Sequence, residues 1–576
     1  MRYILFITCL IASCFTLLAQ TTFCPDDPPQ NPYLADSPWP TYHRNNYAQS
    51  STCIAGPMPG DSILIKKRSN IQGGTSPWTY FTEPYSNGQR AILQSNTTHV
   101  FKFLDNGSEI IAVDSLRIDF DPVTSFGWNF LLSKNKIWFT YDPKYDPEEG
   151  QSSRIFKLTD EDTSDIYAPI VVLDTFDFGD IGLNKVQHYQ ITYDGNILFG
   201  SENDEENGYA TIGILTKDFE LLDTLRYLTL PGEITHHNAF TLEETNHIYL
   251  VTTERMICFF WDGQVLSKEW ESYYDFVNDG PTGAFAEGSG TTPTLLGWGS
   301  GNDRLVVLAD GHENNNLVAF WREIPEGWQG IPGYDIRLAG IISLPLASSF
   351  SNIFQSIENS PTARGYEIAI AQFNGFLGYD CDNIKGVQKI KWDTLNNVFE
   401  LAWMNDEINM NGVLTYSSGS NLLYGSGKEE DCNYYYYALD WDSGALAMRI
   451  LMGPEGTFLD DPYYDAGNNS IISEEGHIYF AGGASLVKVE IAKRATSAAT
   501  GVYTESGQLS VFPNPARHTI RLNRQIAQTT TGFIYDNMGK LVHTFSSTSQ
   551  ELNISHLNAG LYFLRADGQV CKFLVQ

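Results

Sequence analysis

The stretch HIYLVTTERMICFFW, residues 247–261, holds two apolar strands joined by a short polar turn. Its β-branched and aromatic residues suit buried strands. The first strand of this pair recurs along the chain. HVFKFL starts at His99, KIWFTY at Lys136, NILFGS at Asn196, RLVVLA at Arg304, YEIAIA at Tyr366, NLLYGS at Asn421 and HIYFAG at His477. With His247 there are eight starts between residues 60 and 492. Each leads through a turn into a second apolar strand, such as LVAFWRE from Leu317. A third strand then follows, such as ELLDTLRYL from Glu220 or VFELAWMN from Val398.

A four-strand pattern repeating every roughly 40–60 residues predicts a β-propeller. The last unit, HIYFAGGASLVKVEI, has only two clear strands. Near the N-terminus, SILIKKR (62–68) and RAILQSN (90–96) are strands without an opening partner. Pairing them with the last unit completes an eighth blade and leaves no exposed edge. The expected fold is all-β: an eight-bladed propeller, with seven blades as the alternative, followed by a small C-terminal β-sandwich. The expected segments are a signal peptide (1–20), a lead-in (21–60), the propeller (61–492), a linker (493–508) and a C-terminal module (509–576). The chain of 576 residues exceeds one ordinary compact core. Its 13% aromatic content and 49 glycines favour strands and tight turns.

The formal net charge of −33 repels phosphate backbones and anionic lipid, which argues against nucleic-acid and peripheral-membrane roles. It suits solubility outside the cell, and a cation-binding surface is the sharper reading. The opening MRYILFITCLIASCFTLLAQ has a basic residue at Arg2 and an apolar run from Ile4 to Leu18, so it reads as a signal peptide removed near Gln20. Ile11 to Cys14 also looks like a lipobox, but the apolar run continues past Cys14. No other segment is apolar enough to span a bilayer. Six cysteines remain after cleavage. Cys24 could bridge to Cys53 and Cys381 to Cys432, although spacing alone does not fix connectivity. No C-x-x-C or H-E-x-x-H motif is present, so no metal or other cofactor is expected. Calcium stays possible at the acidic loop Glu202 to Glu206, which lacks the full EF-hand spacing.

At the C-terminus, LSVFPNPARHTIRL, GFIYDNMGKLVHTF and ELNISHLNAGLYFLRADGQVCKFLVQ alternate as strands with turns. In order, they resemble the type A sorting domain of type IX secretion cargo. The P-N-P opening is Pro513-Asn514-Pro515. The central aspartate–glycine turn has Asp536 and Gly539. The closing motif has Gly560 and Tyr562, and the terminal basic strand has Lys572. The resemblance implies handling by the type IX secretion machinery and release or attachment at the outer surface. More faintly, SPWPTYHRNN (37–46) and ALDWDSGALAMR (438–449) resemble quinoprotein-like propellers. Ser443 and Met448 depart from that blade motif, and no adjacent cysteine pair exists, which argues against a quinone cofactor.

Residues at the starts of the first strands are expected to ring the channel mouth, with alternation turning about half of them inward. The ring comprises His188 and Gln190; His236, His237 and Asn238; Thr291 and Thr292; Glu358, Asn359 and Ser360; and Asn411. Asp310 lies in an overhanging loop. Each has a plain explanation as a cap or turn residue. Together they form a convergent polar pocket. One reading is a secreted propeller that binds a glycan or peptide there. A second is an enzyme acting on polysaccharide, with His188, His236, His237, Glu358 and Asp310 as acid–base candidates. A third is a structural surface protein.

Overall fold

Each repeat forms an antiparallel meander whose strands hydrogen-bond in chain order. The fourth is representative: Thr241–Leu242, His247–Val251, Arg255–Trp261 and Leu266–Tyr273 lie side by side. Tyr249 sits opposite Cys258, and Cys258 opposite Trp270. The computed structural model describes residues 24–495 and 511–575, except 70, 72–77, 97–98, 119–129, 143–151, 203–206, 236–238, 276–287, 312–314, 346–356, 358, 373–384, 455–469, 483–484, 513–515, 523–530, 537–539, 547–550 and 567–568. Cys9, Cys14 and the signal-peptide reading therefore lie outside the described residues. The chain divides into two units, 1–495 and 496–576.

Among the described residues, the first unit holds eight such sheets, numbered here in chain order. Their first strands are Tyr80–Phe81, Leu131–Ser133, Val186–Ile191, Thr241–Leu242, Thr294–Leu296, Thr362–Arg364, Asn411–Ser417 and Ile471–Ile472. These strands are almost wholly buried, whereas the fourth strands carry exposed residues such as Leu228 at 78%. First strands therefore lie innermost and fourth strands outermost. The architecture is a β-propeller. Helix is confined to two single turns among the described residues, Lys134–Lys136 and Phe178–Ile181.

Neighbouring residues of an inner strand serve different cores. Leu131 packs with Tyr189 and Ile155, whereas Leu132 packs with Tyr80 and Val100. Leu295 packs with Tyr249, and Leu296 with Ala363. Alternation thus sends side chains to the two flanking sheets, each fully buried leucine contributing about 1.5–3 kcal/mol. The edge of each first strand that its own meander leaves without a neighbour is the inner one.

Sheet 8 consists of Ile471–Ile472, Ile478–Gly482, Ser485–Lys493 and, outermost, Ser62–Arg68 from the N-terminus. Ile65 lies opposite Val489. The second N-terminal strand does not join this closure. Ile92–Ser95 pairs instead with Tyr80–Phe81 and His99–Asp105, so the His99 strand is the third of its sheet rather than the second. The cause is the first strand of sheet 1, whose two residues are too few to show a period.

Two kinds of bolt hold adjacent sheets. Tryptophans at the ends of third strands reach back to the preceding sheet. Trp261 Nε1 donates to Asp194 at 2.8 Å, Trp392 Nε1 to Asp303 at 2.8 Å and Trp441 Nε1 to Glu367 at 2.7 Å. In sheet 5 the neighbouring Arg322 takes this role with Glu243. Buried lysines of third strands reach forward. Lys102 meets Asp160 at 2.5 Å, Lys389 donates to the Trp441 carbonyl at 2.9 Å and Lys488 meets Asp105 at 2.5 Å. Trp392→Phe removes the indole N–H together with part of a buried ring and leaves the half-buried Asp303 oxygen short of one donor. It should lower stability by about 1–3 kcal/mol, which denaturant unfolding would read directly.

The second unit has two antiparallel sheets. One orders Val511–Phe512, Thr519–Leu522 and Glu551–Asn553. The other orders Leu541–Ser546, Thr531–Asp536, Gly560–Ala566 and Gln569–Val575. Ile520 and Leu552 from the first share one core with Ile534, Leu564 and Phe573 from the second.

Candidate functional site

The inner edges of the sheets are taken up by the lead-in. Ser37 Oγ donates to the Phe81 carbonyl of sheet 1 at 2.5 Å. The Ala35 N–H donates to the Leu132 carbonyl and the Leu132 N–H to the Pro40 carbonyl in sheet 2, at 2.7 and 2.9 Å. Asn46 Nδ2 donates to the Ile191 carbonyl in sheet 3 at 3.0 Å. The carbonyls of Asn46, Tyr47, Gln49 and Ser50 then accept from Leu242, Leu295, Ala363 and Tyr416, the first strands of sheets 4 to 7 in turn, at 2.9–3.1 Å. Ser51–Thr52 adds a parallel fifth strand to sheet 7. An extended chain cannot turn this tightly, and His43, Arg44, Ala48 and Ser50 adopt φ of +53, +75, +55 and +49°.

The ends of this segment are fastened together. Cys24 and Cys53 form a disulfide, as proposed for that pair from the sequence. With a sequence separation of 29, it restricts the unfolded chain by about 3–4 kcal/mol on a loop-entropy account. Beside it, Arg44 pairs with Asp27 at 2.6 Å, and Arg364 of sheet 6 pairs with the same Asp27 at 2.7 Å. Hydrogen bonds and charge from Arg44 outweigh burial and hold the Asp27 carboxyl below its usual range. Close approach is required at Gly419, where a Cβ would strike the Cys53 carbonyl. Cys432 is also disulfide-bonded, and its expected partner Cys381 lies outside the described residues. Cys258 and Cys571 are free.

Further along the lead-in, the His43 imidazole is fully buried. Its Nδ1 lies 2.8 Å from Ser50 Oγ, and its ring meets Trp78 edge-on at 5.4 Å. Burial pushes its pKa down to about 3. Tyr47 OH donates to Glu244 at 2.5 Å. Tyr42 OH hydrogen-bonds Thr292 Oγ1, and burial pushes the phenol up to about 12.

Tyr42 therefore joins the lead-in to the expected mouth. There the Thr292 N–H donates to Ser360 Oγ at 2.9 Å. Thr291 Oγ1 lies 2.9 Å from Ser289 Oγ and accepts from the Ala309 N–H at 3.1 Å. Asn359 Nδ2 donates to the carbonyls of Ala371 and Gln372 at 3.3 and 3.0 Å. Thr291, Thr292, Asn359 and Ser360 are all buried. Gln190 is also buried, and its Oε1 accepts from the next N–H, that of Ile191, at 3.1 Å. Asp310 accepts from the N–H and Nδ2 of Asn316, both at 2.7 Å, closing its own loop. His188 is partly buried with its ring edge-on to Phe240 at 5.9 Å. Asn411 begins the first strand of sheet 7, opposite Ser426. His236, His237, Asn238 and Glu358 lie outside the described residues.

Among the described residues no group of three or more His, Cys, Asp or Glu could hold a metal. No described helix is long and apolar enough to cross a membrane.

In the second unit, the Lys540 N–H donates to Asp536 Oδ1 at 2.9 Å, closing the central turn. Tyr562 OH donates to the Asn558 carbonyl at 2.8 Å, and its ring stacks on Phe573 at 5.8 Å. Gly560 pairs with Val575, and Lys572 lies opposite Phe563. Pro513, Asn514, Pro515 and Gly539 fall outside the described residues. Residues 510–573 match the family described as the secretion system C-terminal sorting domain. The second unit is a secretion-system sorting domain. A chain that carries this sorting domain is a secreted or outer-surface protein.

Over 464 residues the chain is 27% identical to an uncharacterized protein of Archaeoglobus fulgidus, covering 74% of this chain and 83% of that one. Since the sorting domain is confined to 496–576, the aligned stretch lies mostly in the propeller. Among solved structures, the chain is similar to the quinohemoprotein alcohol dehydrogenase of Comamonas testosteroni. That match has 11% identity, 82% coverage of each chain and a TM-score of 0.48. It is also similar to a europium-containing methanol dehydrogenase, with 9% identity, 77% and 88% coverage and a TM-score of 0.47. A third likeness is to PorZ, a surface component of the type IX secretion system of Porphyromonas gingivalis. Here identity is 10%, coverage 86% and 68%, and the TM-score 0.33.

Proposed function

We propose that this is a secreted or cell-surface propeller of eight blades, with a sandwich as its type IX sorting domain. It binds an extracellular glycan or peptide at the mouth formed by the starts of the inner strands. The observation that carries this reading is the lead-in. It fills the inner edges of the sheets and leaves the strand-start end, the end that carries His188, Gln190, Asp310, Thr291, Thr292, Asn359, Ser360 and Asn411, as the one offered to a ligand. Tyr42, hydrogen-bonded to Thr292, belongs to the floor of that mouth. Sequence patterns alone did not single it out, because its partner lies 250 residues away.

The test is a thermal-shift screen of the mature chain against glycans, sulfated polysaccharides and peptides. A ligand present at a hundredfold above its Kd should stabilise by about 2.7 kcal/mol. Tyr42→Phe and His188→Ala should abolish most of that shift, while Trp392→Phe, on an inter-sheet bolt, should keep it. A shift that survives both mouth substitutions, or no shift with any ligand, would move the structural reading to first place.

A further inference from the structure

We propose that the lead-in is a latch. It seats in the channel only after the sheets have formed, and oxidation of Cys24 and Cys53 then locks it. Its seat is assembled from residues far along the chain. The Asn46 carbonyl needs Leu242, the Gln49 carbonyl needs Ala363, and the Ser50 and Thr52 carbonyls need Tyr416 and Ser418. Ser417 Oγ donates to the Ile54 carbonyl across 363 positions. None of these partners is in place until the sheets that carry them have formed.

The seat is also strained. Four non-glycine residues of its path lie in the left-handed region: His43, Arg44, Ala48 and Ser50. Thr41 Oγ1, His43 Nε2, Asn46 Oδ1, Gln49 Oε1 and Ser51 Oγ are buried with no protein partner. Strain and unpaired buried polar atoms offset part of what burial of the segment contributes, so its seating depends on its ends being fixed. Cys24 and Cys53 fix both ends at one point. Locking joins the two sulfurs, releases two protons and passes two electrons to a disulfide-bearing oxidant, which leaves as a dithiol. Before that step the channel is open along its axis. The latch shares Tyr42 with the proposed mouth, but its test reads backbone exchange along the lead-in and not ligand binding, so failure of either reading is told apart from failure of the other.

The experiment is hydrogen exchange on the folded mature chain, before and after reduction by a water-soluble phosphine and again after reoxidation. Reduction should speed exchange at 34–52 by about tenfold or more while the third strands, such as Arg255–Trp261, keep their protection. The Cys24→Ser, Cys53→Ser variant, which retains the Cys432 bridge, should show the same selective loss. Unchanged exchange at 34–52 would overturn the latch. So would equal loosening of lead-in and sheets, or a double variant that does not fold, because either shows that the lead-in and the sheets cannot be separated.

Discussion

Asp160→Ala lowers the stability of the mature chain by about 3–5 kcal/mol, read by denaturant unfolding at pH 7. Asp160 and Lys102 are both fully buried, and Tyr85 OH donates to the second carboxylate oxygen at 2.5 Å. Removing the carboxylate strands the Lys102 ammonium, which would keep only the Ala168 carbonyl. Yet the intact cluster is not a large source of stability. Burial outweighs Lys102 and Tyr85 and holds the Asp160 carboxyl above its ordinary range, so folding disfavours its charge. Replacing the whole cluster by Tyr85→Phe, Lys102→Met and Asp160→Leu should therefore be neutral or stabilise by up to about 4 kcal/mol. A triple variant as unstable as Asp160→Ala would show instead that the charges themselves hold sheets 1 and 2 together.

Acid should act first through His43. Its pKa is about 3 when folded, against 6.5 for the free side chain. The unfolded chain thus takes up a proton that the folded one refuses, so stability falls as pH drops below about 6.5 and levels off below about 3. By pH 5 the loss from this one imidazole is about 2 kcal/mol. Carboxylates add their losses later. Glu243, held down to about 2 against its burial by bonds from His247 and the Arg322 charge, stabilises above about 4.5 and loses that contribution as pH falls towards 2. His43→Asn keeps a short polar group near Ser50 without an ionisable ring. Its stability should be flat between pH 6.5 and 5 relative to the wild type. Parallel pH profiles for the two proteins would show that His43 protonates freely in the fold.

The repeat was legible because its second and third strands are long, apolar and evenly spaced. The first strands were not. Several have two or three residues, and the one in sheet 1 was short enough to shift a strand assignment. The Trp-Asp pairs at 261–262, 392–393 and 441–442 were a second signal that went unread. Each marks the end of a third strand, and each indole bolts to the sheet before. Met448, which departs from the blade motif, has a counterpart in Trp441 a few positions earlier, whose indole makes the bond to the preceding sheet.

The lead-in was the least readable segment. SPWPTYHRNNYAQSST has no period of two or 3.6, because its partners are single positions on successive sheets. The polar residues expected at the strand starts are only partly among the described ones. Where their side chains point depends on sheets packing face to face around an axis, which no local pattern records. Thr291, Asn359 and Gln190 consequently spend their hydrogen bonds on nearby backbone.

The closure of sheet 8 also sets how the propeller bears a mechanical load. The route to the sorting domain leaves from Ser485–Lys493, which is not an edge. It is clamped between Ile478–Gly482 on one side and Ser62–Arg68 on the other. A machine that hauls on the C-terminal tail therefore pulls on a strand zipped along both flanks, and the easily peeled outermost strand is the one it does not hold.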